Sequence, residues 1–142
     1  MFKYLEHQAD MGIYVKGQSW KEVFEDGARA IFELMFAINK NQLTVSKRIN
    51  IKINAKDIAT LFVEWLNELI AQKDIENLVF VQFNIIKLEK ENGEYILEAE
   101  VGGERFDPGK FEQKLEVKAA TYSGLKCGER GGKKFCQCIV DV

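Results

Sequence analysis

Proline occurs once in the 142 residues, and no tract is rich in Pro, Gly and Ser or low in complexity, so nothing marks a linker. No run approaches the ~18 apolar residues of a membrane-spanning helix. The first ten residues, MFKYLEHQAD, break every apolar stretch with a polar one, so neither a span nor a secretory leader is expected. Positive charge is not in excess: 20 Lys and Arg stand against 22 Asp and Glu, a net charge of −2. Surplus basic charge is what neutralises a phosphate backbone, and no aromatic-basic stripe runs along the chain, so direct nucleic-acid binding is not expected. Cysteine is scarce and odd in number, three in all. With no leader, these read as free thiols of a reducing compartment, a disulfide across the last hairpin being the alternative, and a cytoplasmic location is expected.

What is present is a hydrophobic fraction of 46% and a length that fits one domain, residues 1–142. A chain of this size buries about two thirds of its unfolded surface, so no disulfide framework is needed.

Two helices stand out. From Trp20 the apolar positions Val23, Phe24, Ala28, Ile31, Leu34 and Met35 trace one helical face, and Ser19 with Glu22 has the spacing of a capping box. Phe32 and Phe36 fall off that stripe, which predicts cover on more than one side. In the second helix Asp57 is the expected N-cap. Ile58, Leu61, Phe62, Trp65, Leu66, Leu69 and Ile70 form its apolar face, with Thr60, Glu64, Asn67 and Glu68 opposite.

Elsewhere apolar residues alternate with period two, the mark of half-buried strands. The strands are Met11 to Val15; Leu43, Val45, Ile49, Ile51 and Ile53; Val79 to Phe83, with a phase shift or bulge at Ile85-Ile86; Tyr95 to Val101; Leu115 to Thr121; and Phe135 to Asp141. Asn92-Gly93 is a two-residue hairpin signal. Ser123 to Lys134 reads as a Gly-rich turn region. The expectation is an α+β domain, two helices packed on a mostly antiparallel sheet, in the order β-α-β-α-β-β-β-β.

Chemistry-bearing residues are few. His7, the only histidine, precedes Asp10 by three residues and reads either as a ligand or proton-transfer group or as a turn-holding side chain. Asp141 ends an apolar strand beside the free carboxylate of Val142. Two anionic groups at a docked strand end repel unless a cation lies between them, either a hard metal ion or a Lys or Arg. A zinc site from Cys127, Cys136, Cys138 and His7 is disfavoured, because Cys136 and Cys138 are alternate residues of one strand, roughly 6.5–7 Å apart, and no C-x2-C knuckle exists. The Gly-rich stretch from Cys127 to Lys134 lacks the hydroxyl residue and the following helix of a phosphate loop. Its basic residues Lys126, Arg130, Lys133 and Lys134 fit a hairpin tip. Glu64 and Glu68, four apart, read as a solvated helix face.

Four segments together resemble the archease family: His7-Gln8-Ala9-Asp10-Met11-Gly12-Ile13, Leu61 to Ile70, Lys118-Ala119-Ala120-Thr121-Tyr122, and Ile139-Val140-Asp141-Val142. The resemblance covers nearly the whole chain. It implies a protein that is not an enzyme but an activator of an RtcB-type RNA ligase in tRNA splicing and RNA repair, promoting ligase guanylylation and multiple turnover. It also implies a divalent metal ion, calcium first and magnesium or manganese after it, held by Asp10, Asp141 and Val142. His7 and Lys118 would support that site or contact the ligase. Gln8 stands where threonine is usual in the family and Ser123 where histidine is common. The competing reading is a metal-dependent phosphoester hydrolase using the same acids, with His7 as acid or base.

Overall fold

The computed structural model describes residues 1–7, 10–39 and 44–142, without the side chains of Glu6 and His7. The elements in chain order are β1 (Phe2–His7), β2 (Asp10–Gly17), α1 (Trp20–Met35), β3 (Phe36–Ile38), β4 (Lys47–Ala55), α2 (Ile58–Glu76), β5 (Leu78–Glu91), β6 (Glu94–Arg105), β7 (Phe111–Gln113), β8 (Ala119–Arg130) and β9 (Lys133–Asp141). The expected order of strands and helices is present, joined by β1, β3 and β7, whose sequences carry weaker alternation.

All described pairings are antiparallel. They form a four-stranded sheet β1-β2-β9-β8, a three-stranded sheet β4-β6-β5 and a small ribbon β3-β7. The helices lie between the two larger sheets: α1 packs on β2 and β5, α2 on β8 and β4. This explains why Phe32 lies off the first stripe. It is buried against Phe80 and Phe83 of β5, while Val23, Phe24 and Ile31 occupy the same buried core. A helix covered on both sides must be apolar on more than one face, and α2 buries Val63 in addition to the expected stripe.

Both caps form. The Ser19 hydroxyl accepts from Glu22 N at 3.1 Å and the Asp57 carboxylate from Thr60 N at 2.7 Å. Glu22 reaches Gln18 N at 3.2 Å, one residue earlier than a strict capping box requires. Where α1 and α2 meet, Trp65 is fully buried and its indole N–H donates to Phe24 O at 2.9 Å. A large apolar side chain sealed in this way stabilises the fold by about 1.5–3 kcal/mol.

Asn92 and Gly93 both take positive φ, 52° and 81°, and close the β5–β6 hairpin as a two-residue turn. The register of β5 slips between Ile85 and Lys87, where the phase shift was expected, and again between Phe80 and Gln82. Leu43 lies outside the described residues, and β4 starts at Lys47.

Two features differ from the sequence reading. Strand β8 starts at Ala119, not Leu115, and Ser123 to Arg130 belongs to it, leaving only Gly131-Gly132 as the turn. The glycines in this stretch suggested a turn, but pairing with β9 resumes at Lys126 opposite Gln137, after a bulge that leaves Tyr122 to Leu125 outside the ladder. The second difference concerns cysteine. Cys127 and Cys136 are directly opposite on β8 and β9, with Cα atoms 4.1 Å apart, and form a disulfide, so two of the three thiols are not free.

Candidate functional site at the ends of β2 and β9

Strands β2 and β9 are the central pair of the four-stranded sheet. Their alternation sends Ile13, Val15, Cys136, Cys138 and Val140 into the core beneath the helices. The intervening residues, Asp10, Gly12, Tyr14, Ile139 and Asp141, therefore share the opposite face. The last paired rung is Met11 opposite Val140, and one step beyond it stand Asp10 on β2 and Asp141 on β9. Asp10 is paired across β1 with His7, and Asp141 across β8 with Ala119. One row of the sheet thus carries His7, Asp10 and Asp141.

Gly12, two residues after Asp10, keeps the neighbouring strand close: a Cβ there would lie 3.0 Å from the Leu5 Cβ. Lys118 N donates to Asp141 O at 2.8 Å, which ties the chain just before β8 to this strand end, and the Lys118 side chain is exposed. Val142 is half-buried and packs against the core, while Asp141 is exposed. Nothing is described of the His7 side chain, and Gln8 lies outside the described residues.

Among the described residues no three His, Cys, Asp or Glu side chains gather as an ion site. The donors implied by the family resemblance are two carboxylates and an oxygen of Val142. That all-oxygen set matches a hard divalent cation in chemistry, and two carboxylates opposite each other on adjacent strands repel unless a cation lies between them. The Cys residues do not compete for such an ion, since two are in a disulfide. Burial pushes the thiol of the third, Cys138, up to about 12.

Beside this row, the polar face of α2 meets β8. Asn67 donates to Ala120 O at 3.0 Å and accepts from Ala120 N at 2.7 Å. Tyr122, in the bulge of β8, donates its hydroxyl to Glu64 at 2.8 Å. That hydrogen bond raises the Tyr122 phenol above its ordinary range, with burial and the charge of Glu64 adding to it. The sequence placed Glu64 and Asn67 on the polar face of the helix and gave Tyr122 no role beyond the family-like segment it ends. Nothing in the sequence separates Asn67 from the other polar residues of that face, since its partner is the backbone of a strand 53 residues away.

No described helix is long and apolar enough to cross a membrane.

Comparison with known proteins agrees with this arrangement. The model of the Archease protein family (MTH1598/TM1083) matches residues 2–142. The chain is 38% identical to "Protein archease" of Pyrococcus furiosus, over 99% of this chain and 98% of that one. It is 30% identical to "Protein archease" of Methanosarcina mazei, over 99% and 95%. The solution structure of Methanobacterium thermoautotrophicum protein 1598 superposes with a TM-score of 0.85 at 28% identity, covering 99% of this chain and 98% of that one. A Thermotoga maritima protein described as "an archease, possible chaperone" shares the fold, with a TM-score of 0.58 at 17% identity over 99% and 96% of the two chains. Family model, relatives and fold coincide over the whole strand and helix order, and the chain belongs to the archease family.

Proposed function

We propose that this chain is a non-catalytic activator of an RtcB-type RNA ligase. It promotes guanylylation of the ligase and multiple turnover through a divalent ion, calcium in the first instance, held by Asp10, Asp141 and Val142. The observation that supports this reading is the position of Asp10 and Asp141, 131 residues apart in the chain and one step beyond the same rung of the β2–β9 ladder. A bound ion would offset the repulsion between these carboxylates and supply open coordination positions to a phosphate or to a group on the partner. Lys118, fastened by its backbone to Asp141, presents an exposed ammonium beside the site as a contact for the ligase or a nucleotide. His7, in the same row, is a supporting residue.

The test mixes the purified chain with the ligase, GTP and divalent metal and follows label transfer from GTP to the ligase. Acceleration by the wild-type chain, abolished in Asp10→Ala and in Asp141→Ala, is the expected result. No acceleration by the wild-type chain refutes the proposal. Turnover of a phosphoester by the chain alone, lost in His7→Ala, would replace it with a hydrolase.

A further inference from the structure

The face of the four-stranded sheet turned away from the helices changes character along its strands. At one end are Asp10 and Asp141. Four residues along β2, roughly 14 Å at ~3.4 Å per residue, stands Tyr14. Around it and beyond it the register gathers Lys3, Lys16, Lys126, Arg130 and Lys133 on the same face: Lys3 opposite Tyr14, Lys16 opposite Phe135, Lys126 opposite Gln137, and Arg130 opposite Lys133. Among the described residues, none of these five cations is in an ion pair, whereas Lys134, on the other face, is paired with Glu129. No described element packs over them. In a chain of net charge −2 this is a strong segregation of sign.

Two aromatic rings sit among the cations. Tyr14 and Phe135 stack with centroids 5.9 Å apart and planes 18° from parallel. The Lys3 ammonium lies 5.2 Å from the Tyr14 centroid, and the Arg130 guanidinium 4.8 Å from that of Phe135. Gly128 opposite Phe135 gives that ring room, since even a Cβ there would approach it to 3.4 Å.

We propose that this face binds single-stranded RNA, its five unpaired cations tracking the phosphates and the exposed Arg130 guanidinium, seated on the Phe135 ring, stacking a base. The charge alone would also suit an acidic protein surface. The half-buried Tyr14 ring and the exposed Arg130 guanidinium favour nucleic acid: bases stack on aromatic rings and guanidinium groups, whereas a carboxylate uses only the charge and gains nothing from the tyrosine ring. The inference is independent of the ligase reading, because it concerns the isolated chain and the basic end of the sheet.

The experiment measures fluorescence anisotropy of a labelled 12-nucleotide single-stranded RNA titrated with the full chain at several salt concentrations. Five phosphate contacts predict a slope of log affinity against log salt of about −3.5, a loss of roughly 100-fold between 50 and 200 mM. The double variant K126E/K133E should abolish binding. A charge-matched control away from this face, K52E/K56E, with Lys52 on β4 and Lys56 in the connection to α2, should leave it near wild type. Arg130→Lys keeps the charge and loses the plane, and should weaken binding roughly tenfold with the salt slope unchanged. Absence of binding at low salt, or equal loss in K126E/K133E and K52E/K56E, overturns the proposal. So does efficient competition by poly-glutamate together with an Arg130→Lys variant that binds like wild type, since that result marks an acidic-protein surface.

Discussion

The side-chain amide of Asn67 does for Ala120 what a further strand would do: it donates to the Ala120 carbonyl at 3.0 Å and accepts from the Ala120 N–H at 2.7 Å. Strand β8 is the edge of its sheet, so these backbone groups have no strand partner on that side. The helix supplies one, and in doing so fixes α2 against the strand that leads to the Asp10 and Asp141 row.

Asn67→Ala leaves two part-buried backbone groups without partners, and each unmade hydrogen bond of this kind costs about 1–3 kcal/mol. The variant should unfold in chemical denaturant with a midpoint lowered by an amount equivalent to about 2–4 kcal/mol and an unchanged m-value. A loss below about 0.5 kcal/mol would mean that water takes over both bonds.

Gly27 sets the approach of α1 to α2. A Cβ there would lie 2.7 and 2.9 Å from two ring carbons of Phe62, which is fully buried. Alanine gains about 1 kcal/mol of helix propensity over glycine. Overpacking a rigid core costs about 1–3 kcal/mol or more. The clash is expected to prevail, so Gly27→Ala should lower thermal stability by calorimetry, and G27A combined with Phe62→Leu should recover part of the loss.

Alkaline titration should reveal Tyr4. Its phenol is pushed up to about 12, first by burial and then by the charge of Glu33, and its hydroxyl donates to Ala30 O at 2.8 Å. A group whose pKa is higher in the folded than in the unfolded chain contributes stability that is full below about pH 10 and is lost as pH rises toward 12. Unfolding free energy measured across that window should fall with pH, and the fall should be shallower in Tyr4→Phe. Identical slopes would show that Tyr4 is not the group responsible.

Thiol counting distinguishes the three cysteines. Oxidised native protein should give no fast reaction with a thiol reagent, because Cys138 is buried with its thiol raised to about 12 and the other two are joined. Unfolding without reductant should expose one thiol, and unfolding with reductant all three. Three thiols in the unreduced unfolded chain would refute the Cys127–Cys136 bond.

The helices were legible in the sequence because their signals are local. Ser19 and Asp57 cap by reaching three residues ahead, and the apolar stripes of α1 and α2 are repeats within one element. The Asn92-Gly93 turn is equally local, since positive φ at two adjacent positions is a property of those residues. Family likeness selected Asp10, Asp141 and Val142, residues that no spacing rule connects. Other features depend on which strand lies beside which. The row that aligns Asp10 with Asp141, the docking of Asn67 on Ala120 and the cations gathered around Tyr14 and Phe135 all join segments distant in the chain, and even the bond of Cys127 to Cys136, nine residues apart, depends on the register of one hairpin. Counted along the chain, Lys3, Lys16 and Lys126 are isolated charges in a balanced composition. Pairing strands about 4.8 Å apart converts them into one face, because register, not sequence separation, sets the distance between side chains on a sheet.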